Sequence, residues 1–139
     1  LAGCRVGYGV AQKEVIDALG LTKLVYNLNI LSQNAALAAM DYADDILAHN
    51  IPPTLAARQH FMDALKDVPN LTVYPSATNF VLVRVPDGPA MVKALHDADI
   101  CVRSYKAADL KNCLRITITT DDVVRRVVAV MTEEAKKYA

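Results

Sequence analysis

The chain has 139 residues, 53% of them hydrophobic and 22% charged, and its fifteen Lys and Arg balance fifteen Asp and Glu. That length suits one soluble domain with a real core. The even charge argues against the basic footprint of a nucleic-acid-binding or polybasic membrane-surface protein, and no apolar run approaches the roughly 18 residues of a membrane span. Leu1-Ala2-Gly3 opens without an initiator Met, a basic n-region or a signal-like stretch, the look of a processed protein or a fragment.

In chain order, Val6 to Ala11 is short, Gly-flanked and apolar, which predicts a strand. Lys13 to Leu19 reads as a short helix closed by Gly20 at its C′ position. The passage Tyr26-Asn27-Leu28-Asn29 leads into an Ala-rich stretch, Ser32 to His49, whose apolar residues recur at helical spacing and predict one long helix. Pro52-Pro53 should break it and open the next helix, which Leu55, Met62 and Leu65 carry to about Asp67.

Beyond Leu71 the pattern turns to strands. Leu71 to Tyr74 and Asn79 to Val85 are β-branched or aromatic runs joined by Pro75-Ser76-Ala77. Pro86-Asp87-Gly88 is a turn, and Pro89 opens a helix through Met91, Val92 and Leu95. Two more strands follow, Ile100 to Arg103 and Cys113 to Thr119. Thr120 then caps a last helix that has Asp121 and Asp122 in its first turn, buries Val124, Val127, Val128 and Met131, and ends at Lys136-Lys137. The result is an α+β domain, a small, mainly antiparallel sheet covered by helices. Residues 1–30 do not fit that domain and read as a piece of another.

Alternation singles out two arginines. In Cys113 to Thr119, Leu114, Ile116 and Ile118 share one face, so Arg115 stands on the polar face in mid-strand, and Arg103 ends the run Ile100-Cys101-Val102. Each is either solvated or paired with a nearby carboxylate, or else forms a fork that grips a carboxylate or phosphate. Arg5 sits among Gly3, Gly7 and Gly9, where small residues let backbone approach an anion, although the spacing matches no Walker or dinucleotide fingerprint.

The remaining reactive residues suggest little chemistry. Cys4, Cys101 and Cys113 are odd in number and lack metal spacing, so reduced, mostly buried thiols in a cytoplasmic protein are expected. His49, His60 and His96 fall on helices at unrelated spacings and read as surface or capping residues. Ser32, Ser76 and Ser104 lack a nucleophile elbow, and no two carboxylates fall into one cleft.

Several motifs, in order, resemble a known family. Leu1-Ala2-Gly3-Cys4-Arg5-Val6-Gly7-Tyr8 is similar to the second half of S-K-x-x-x-L-A-G-x-R-x-G-Y, a signature of fold-type I pyridoxal-phosphate aminotransferases, above all the histidinol-phosphate aminotransferase branch. Tyr26-Asn27-Leu28-Asn29 with Ser32-Gln33 resembles P-Y-N-x-N and S-Q, with Val25 in place of the Pro. Pro75 to Val81 resembles P-S-x-A-N-F, and Ile100 to Arg103 resembles G-I-x-V-R. Asn112 to Thr117 resembles N-C-L-R-I-T. Thr119 stands where the family has Gly, and Asp121-Asp122-Val123 where it often has E-E-N.

The resemblance implies the C-terminal portion of such an enzyme, with residues 1–30 trailing from the large cofactor domain and 31–139 forming the small domain. Arg5 would pair with the phosphate of pyridoxal 5′-phosphate. Arg115 would bind the acidic group of the substrate, assisted by Arg103, while Tyr8, Asn27 and Asn79 would position or pack. The catalytic Schiff-base lysine would fall four positions before Leu1, and none of Lys13, Lys23 and Lys106 occupies its motif, so this chain alone is expected to be inert and to bind the cofactor weakly or not at all. The resemblance further implies a homodimer at full length, with a small-molecule amino donor and a 2-oxo acid as partners. An aromatic aminotransferase, a threonine-phosphate decarboxylase and the aminotransferase-like effector domain of a transcription regulator share these motifs. A free-standing binding module is disfavoured, because Val6 to Leu24 has little to pack on.

Overall fold

A computed structural model describes residues 2–139; Leu1, the first residue of the Leu-Ala-Gly motif, lies outside them. The chain divides into two compact units, Leu1–Ala48 and His49–Ala139.

In the first unit a 3-10 turn, Ala2–Cys4, precedes α1 (Lys13–Thr22) and α2 (Ile30–Asp41). Val6 to Ala11 forms no strand. An isolated extended segment has nothing to satisfy its backbone, and among the described residues no other strand lies in this unit to pair with it. Gly20 does not end α1, which runs on to Thr22 before the Lys23 N–H closes it on the Gly20 carbonyl. The Tyr-Asn-Leu-Asn motif is a capping device. The Asn29 side chain accepts a bond from the Ser32 N–H at 2.8 Å, satisfying one donor that the helix start leaves free, and donates to the Ser32 hydroxyl at 2.9 Å.

The expected long helix is interrupted at Tyr42 (φ −111°, ψ 20°), and α3 (Ala43–Leu65) starts there with Asp44 and Asp45 in its first turn. Pro52 and Pro53 do not break it; they lie inside α3. Proline withdraws a ladder donor but keeps a helical φ, so the helix runs on through two positions that donate nothing to its ladder. Of the apolar residues expected to mark this helix, Leu65 is buried and Met62 half-buried, but Leu55 is exposed; Ala57 and Phe61 complete the buried stripe.

The second unit holds a four-stranded antiparallel sheet in the order β1-β2-β4-β3, built from β1 (Thr72–Val73), β2 (Phe80–Arg84), β3 (Arg103–Ser104) and β4 (Cys113–Thr117). Strand 3 is shorter than Ile100 to Arg103 predicts, and β4 stops at Thr117 rather than Thr119. Between β2 and β4 lie α4 (Gly88–Asp97) and a 3-10 turn, Ala108–Leu110; α5 (Asp121–Lys136) ends the unit.

One face of the sheet is the core. Val81, Val83, Leu114 and Ile116 pack with Phe61 and Leu65 of α3, Met91 and Leu95 of α4, and Val124, Val127 and Met131 of α5. Val128, expected in the core, packs at its margin. Because all three helices share this cluster, they cover the same side, and Phe80, Leu82, Arg115 and Thr117 line the other.

Two junctions place these elements. Asp87 caps α4 by accepting from the Ala90 N–H at 3.0 Å, with Pro89 in the first turn as expected. Asn112, with φ 63°, accepts from the Gly88 N–H and donates to the Pro86 carbonyl, both at 3.0 Å, and so clasps the start of α4 to the start of β4. Thr120 holds the N-cap position of α5, but its hydroxyl makes no capping bond.

Candidate functional site

Antiparallel register brings two of the three expected arginines together. Arg103 of β3 lies directly opposite Arg115 of β4. Like charges placed opposite each other repel, and among the described residues no carboxylate pairs with either. The Arg115 guanidinium carbon sits 5.1 Å from the centre of the Phe80 ring, and its Nε is buried without a hydrogen-bond partner. The ring offers its negative face to the cation. It leaves the fork's donors without an oxygen to bind.

Arg84 gives the contrast. It lies on the same sheet face two residues beyond Leu82, but donates to the Tyr74 hydroxyl at 3.2 Å and to the Asp109 and Lys111 carbonyls. Its bond to the Tyr74 oxygen is the main cause that raises its pKa. Arg84 ties down loops. Arg115 has kept its donors available.

Arg5 belongs to the first unit. Its backbone is left-handed (φ 56°) directly after the 3-10 turn, its side chain is exposed, and it has no ion pair among the described residues. A right-handed turn followed by a left-handed residue points successive N–H groups into a small concavity suited to anions. An exposed guanidinium with no ion pair among the described residues is chemically suited to an anion such as a phosphate. Gly3, Gly7 and Gly9 are not needed for clearance, because a Cβ at any of them would meet nothing within 4 Å. Tyr8 and Asn27 are exposed, and Asn79 is exposed with its carbonyl accepting the Ile118 N–H at 2.8 Å.

The expectation of mostly buried thiols fails at Cys101, which is exposed because β3 begins only at Arg103; Cys4 is half-buried and Cys113 buried. His49 and His60 lie on α3 and His96 on α4. Among the described residues no three His, Cys, Asp or Glu gather as metal ligands. A cleft of about 810 Å³ lies between α3 and the start of α5, where Asp121 pairs with the His60 ring and, at 2.7 Å, with Arg125. The His60 bond first, then the Arg125 bond, holds the Asp121 carboxyl below the usual aspartate range. Sequence reasoning saw Asp121 only as a favourable helix-start charge and missed Phe80 as a platform. Its alternation with Leu82 carries that signal once β2 is paired with β4.

A small antiparallel sheet with helices covering one face defines the fold of this unit, and solved structures share that fold. A histidinol-phosphate aminotransferase from Sinorhizobium meliloti, in complex with pyridoxal 5′-phosphate, matches with a TM-score of 0.68 at 27% identity over 100% of this chain and 39% of its own. A structure from Erwinia carotovora atroseptica, assigned provisionally the same activity, matches with a TM-score of 0.78 at 30% identity over 99% of this chain and 39% of its own. In sequence, the histidinol-phosphate aminotransferase of Thermoanaerobacter sp. is 39% identical over 86% of this chain and 34% of its own length. The chain thus spans about a third of the curated relatives it matches. The class I and II aminotransferase family matches residues 1–131, and the chain belongs to that family.

Proposed function

We propose that this chain is the C-terminal portion of a pyridoxal-phosphate-dependent transaminase that moves an amino group between histidinol phosphate and 2-oxoglutarate in histidine biosynthesis. The observation that carries this is the cross-strand pair of Arg103 and Arg115, with Arg115 on the Phe80 ring and, among the described residues, no carboxylate paired with either. Such a pair is costly empty and favourable around an acid. A phosphate monoester and a dicarboxylate both present the planar or trigonal oxygens that a guanidinium fork matches. One arginine pair therefore serves donor and acceptor in turn.

In this reading Arg115 binds the acidic group and Arg103 adds charge from the neighbouring strand. Arg5 holds the phosphate of the cofactor. When bound, pyridoxal phosphate supplies an electron sink for the substrate Cα. The work of these residues is orientation, which turns a bimolecular encounter into a positioned one. Residues 1–30 trail from the large cofactor domain and 31–139 form the small domain. The complete protein is a cytoplasmic homodimer. Among the described residues, no helix is long and apolar enough to cross a membrane.

The test is to assay the complete protein with histidinol phosphate, phenylalanine and threonine phosphate against 2-oxoglutarate. Turnover of the first is expected, and its absence sinks the assignment. The 139 residues alone, mixed with pyridoxal phosphate and dialysed, should keep no visible absorption band and show no transamination. A persistent band with turnover refutes that.

A further inference from the structure

Among the described residues, two buried side-chain nitrogens have no hydrogen-bond partner, and both are arginine Nε atoms: Arg115 and Arg58. Both arginines also meet the same short segment. Arg58, on α3, donates from Nη1 to the Thr78 carbonyl at 2.8 Å, and Arg115 lies over the Phe80 ring. Burying a donor without a partner costs stability, so an arginine that does so is poorly explained as a mere staple.

The segment between them is stitched by its own hydroxyls. The Thr78 N–H donates to the Ser76 hydroxyl at 3.1 Å, the Phe80 N–H donates to the Thr78 hydroxyl at 3.3 Å, and both hydroxyls donate to the Phe80 carbonyl. Asn79 anchors the far side through its carbonyl to the Ile118 N–H. The knot is stiff, and its Thr78 carbonyl is held from α3 by Arg58. Moving that carbonyl moves Phe80, and moving Phe80 moves the platform under Arg115.

We propose that Arg58 is a positioning residue of the acid-binding face: by fixing the Ser76–Phe80 knot from α3 it sets the Phe80 ring and so aims the Arg115 guanidinium. This rests on the reading of Arg115 as the receiver of the substrate's acidic group. Arg58 touches no substrate. Its planar fork fixes the direction of its bond to Thr78, which a lysine ammonium does only loosely.

The experiment uses isotopically labelled 139-residue chain, with methyl phosphate and glutarate as probes. Nuclear magnetic resonance follows the Arg115 Nε–H, which the Phe80 ring shifts, and the Leu114 and Ile116 methyls, which report the core. In Arg58→Met the methyl signals should stay in place, the ring-induced shift of Arg115 should collapse, and probe affinity should fall about 3- to 10-fold. Arg58→Lys should recover part of both. Should Arg58→Met fail to fold, Ser76→Ala with Thr78→Val loosens the same knot without touching Arg58 and should give the same two changes. An unchanged Arg115 shift with wild-type affinity in these variants overturns the proposal. If wild-type chain takes up neither probe, the acid-binding reading falls instead, while the Arg115 shift still decides whether Arg58 positions it.

Discussion

At the scale of single residues, the proposed acid-binding site depends on a guanidinium, that of Arg115, whose Nε the fold buries without a hydrogen-bond partner. Replacing Arg115 by Lys in the complete enzyme keeps the charge but loses the fork and the stacking on Phe80. We expect kcat/KM for both acidic substrates to fall roughly 10- to 100-fold, the range for a charge-assisted hydrogen bond; steady-state kinetics on donor and acceptor separately will show whether both fall. Asp121 makes a second case. Its carboxyl is held below the ordinary value of 3.8 by His60 and then Arg125. A lowered folded-state value means that its contribution is fully present above pH 3.8 and is lost as pH falls through the lower folded value. Asp121→Asn should therefore lower the thermal midpoint near neutrality and narrow its gap to wild type below pH 3.8, which melting curves across the acid range will test. Gly88 is a third case. A Cβ there would come within 3.1 Å of the Asn112 Cα and of its Oδ1. Gly88→Ala should thus destabilise by about 1–3 kcal/mol through crowding and the strained Asn112 clasp, as denaturant midpoints will show.

At the scale of elements, α3 is one helix in geometry and two in support. Its latter part buries Ala57, Phe61 and Leu65, while Ile46, Leu47 and Ile51 stay largely exposed. The prolines lie between. Hydrogen exchange should divide there, with amides from Phe61 onward protected close to the global limit and those before Pro52 exchanging through local opening; uniform protection along α3 would contradict this. The helix also shows where sequence reasoning stops. Strands 2 and 4, α4 with its Asp87-Gly88-Pro89 start, and α5 were legible because alternation and capping residues act locally. Pro52-Pro53 misled because proline suits the first turn of a new helix, whereas here helix on either side tolerates the loss of two ladder donors. Val6 to Ala11 misled for the opposite reason: strand-like composition means nothing without a neighbour to pair with. Arg115 could be found by period-two alternation. Its pairing with Arg103 and its seat on Phe80 could not, since both depend on the register between strands remote in sequence.

At the scale of the molecule, apolar surface is divided unevenly. All the buried hydrophobic side chains among the described residues lie between Ala57 and Ala135, and nearly all large exposed ones lie between Tyr8 and Leu55, Tyr26 being 96% exposed. A chain starting at His49 should therefore keep a cooperative unfolding transition, while the 139-residue chain should bind a hydrophobic dye that the shorter one does not. Equal dye binding would show that residues before His49 are not its source. Within the core, Phe61→Ala should cost about 3–5 kcal/mol, since its side chain is wholly buried against all three helices' shared cluster.

The sheet order has a kinetic consequence. Its central pairing joins Phe80 to Thr117, so α4 and β3 are looped out between the two strands that form the middle of the sheet. That loop must close before the best hydrophobic contacts can form, and closure entropy is spent before anything is gained. Folding of this unit should consequently be slower than its helix content suggests. Mutations in β2 and β4 should act mainly on the refolding arm of a chevron, and those in β1 on the unfolding arm.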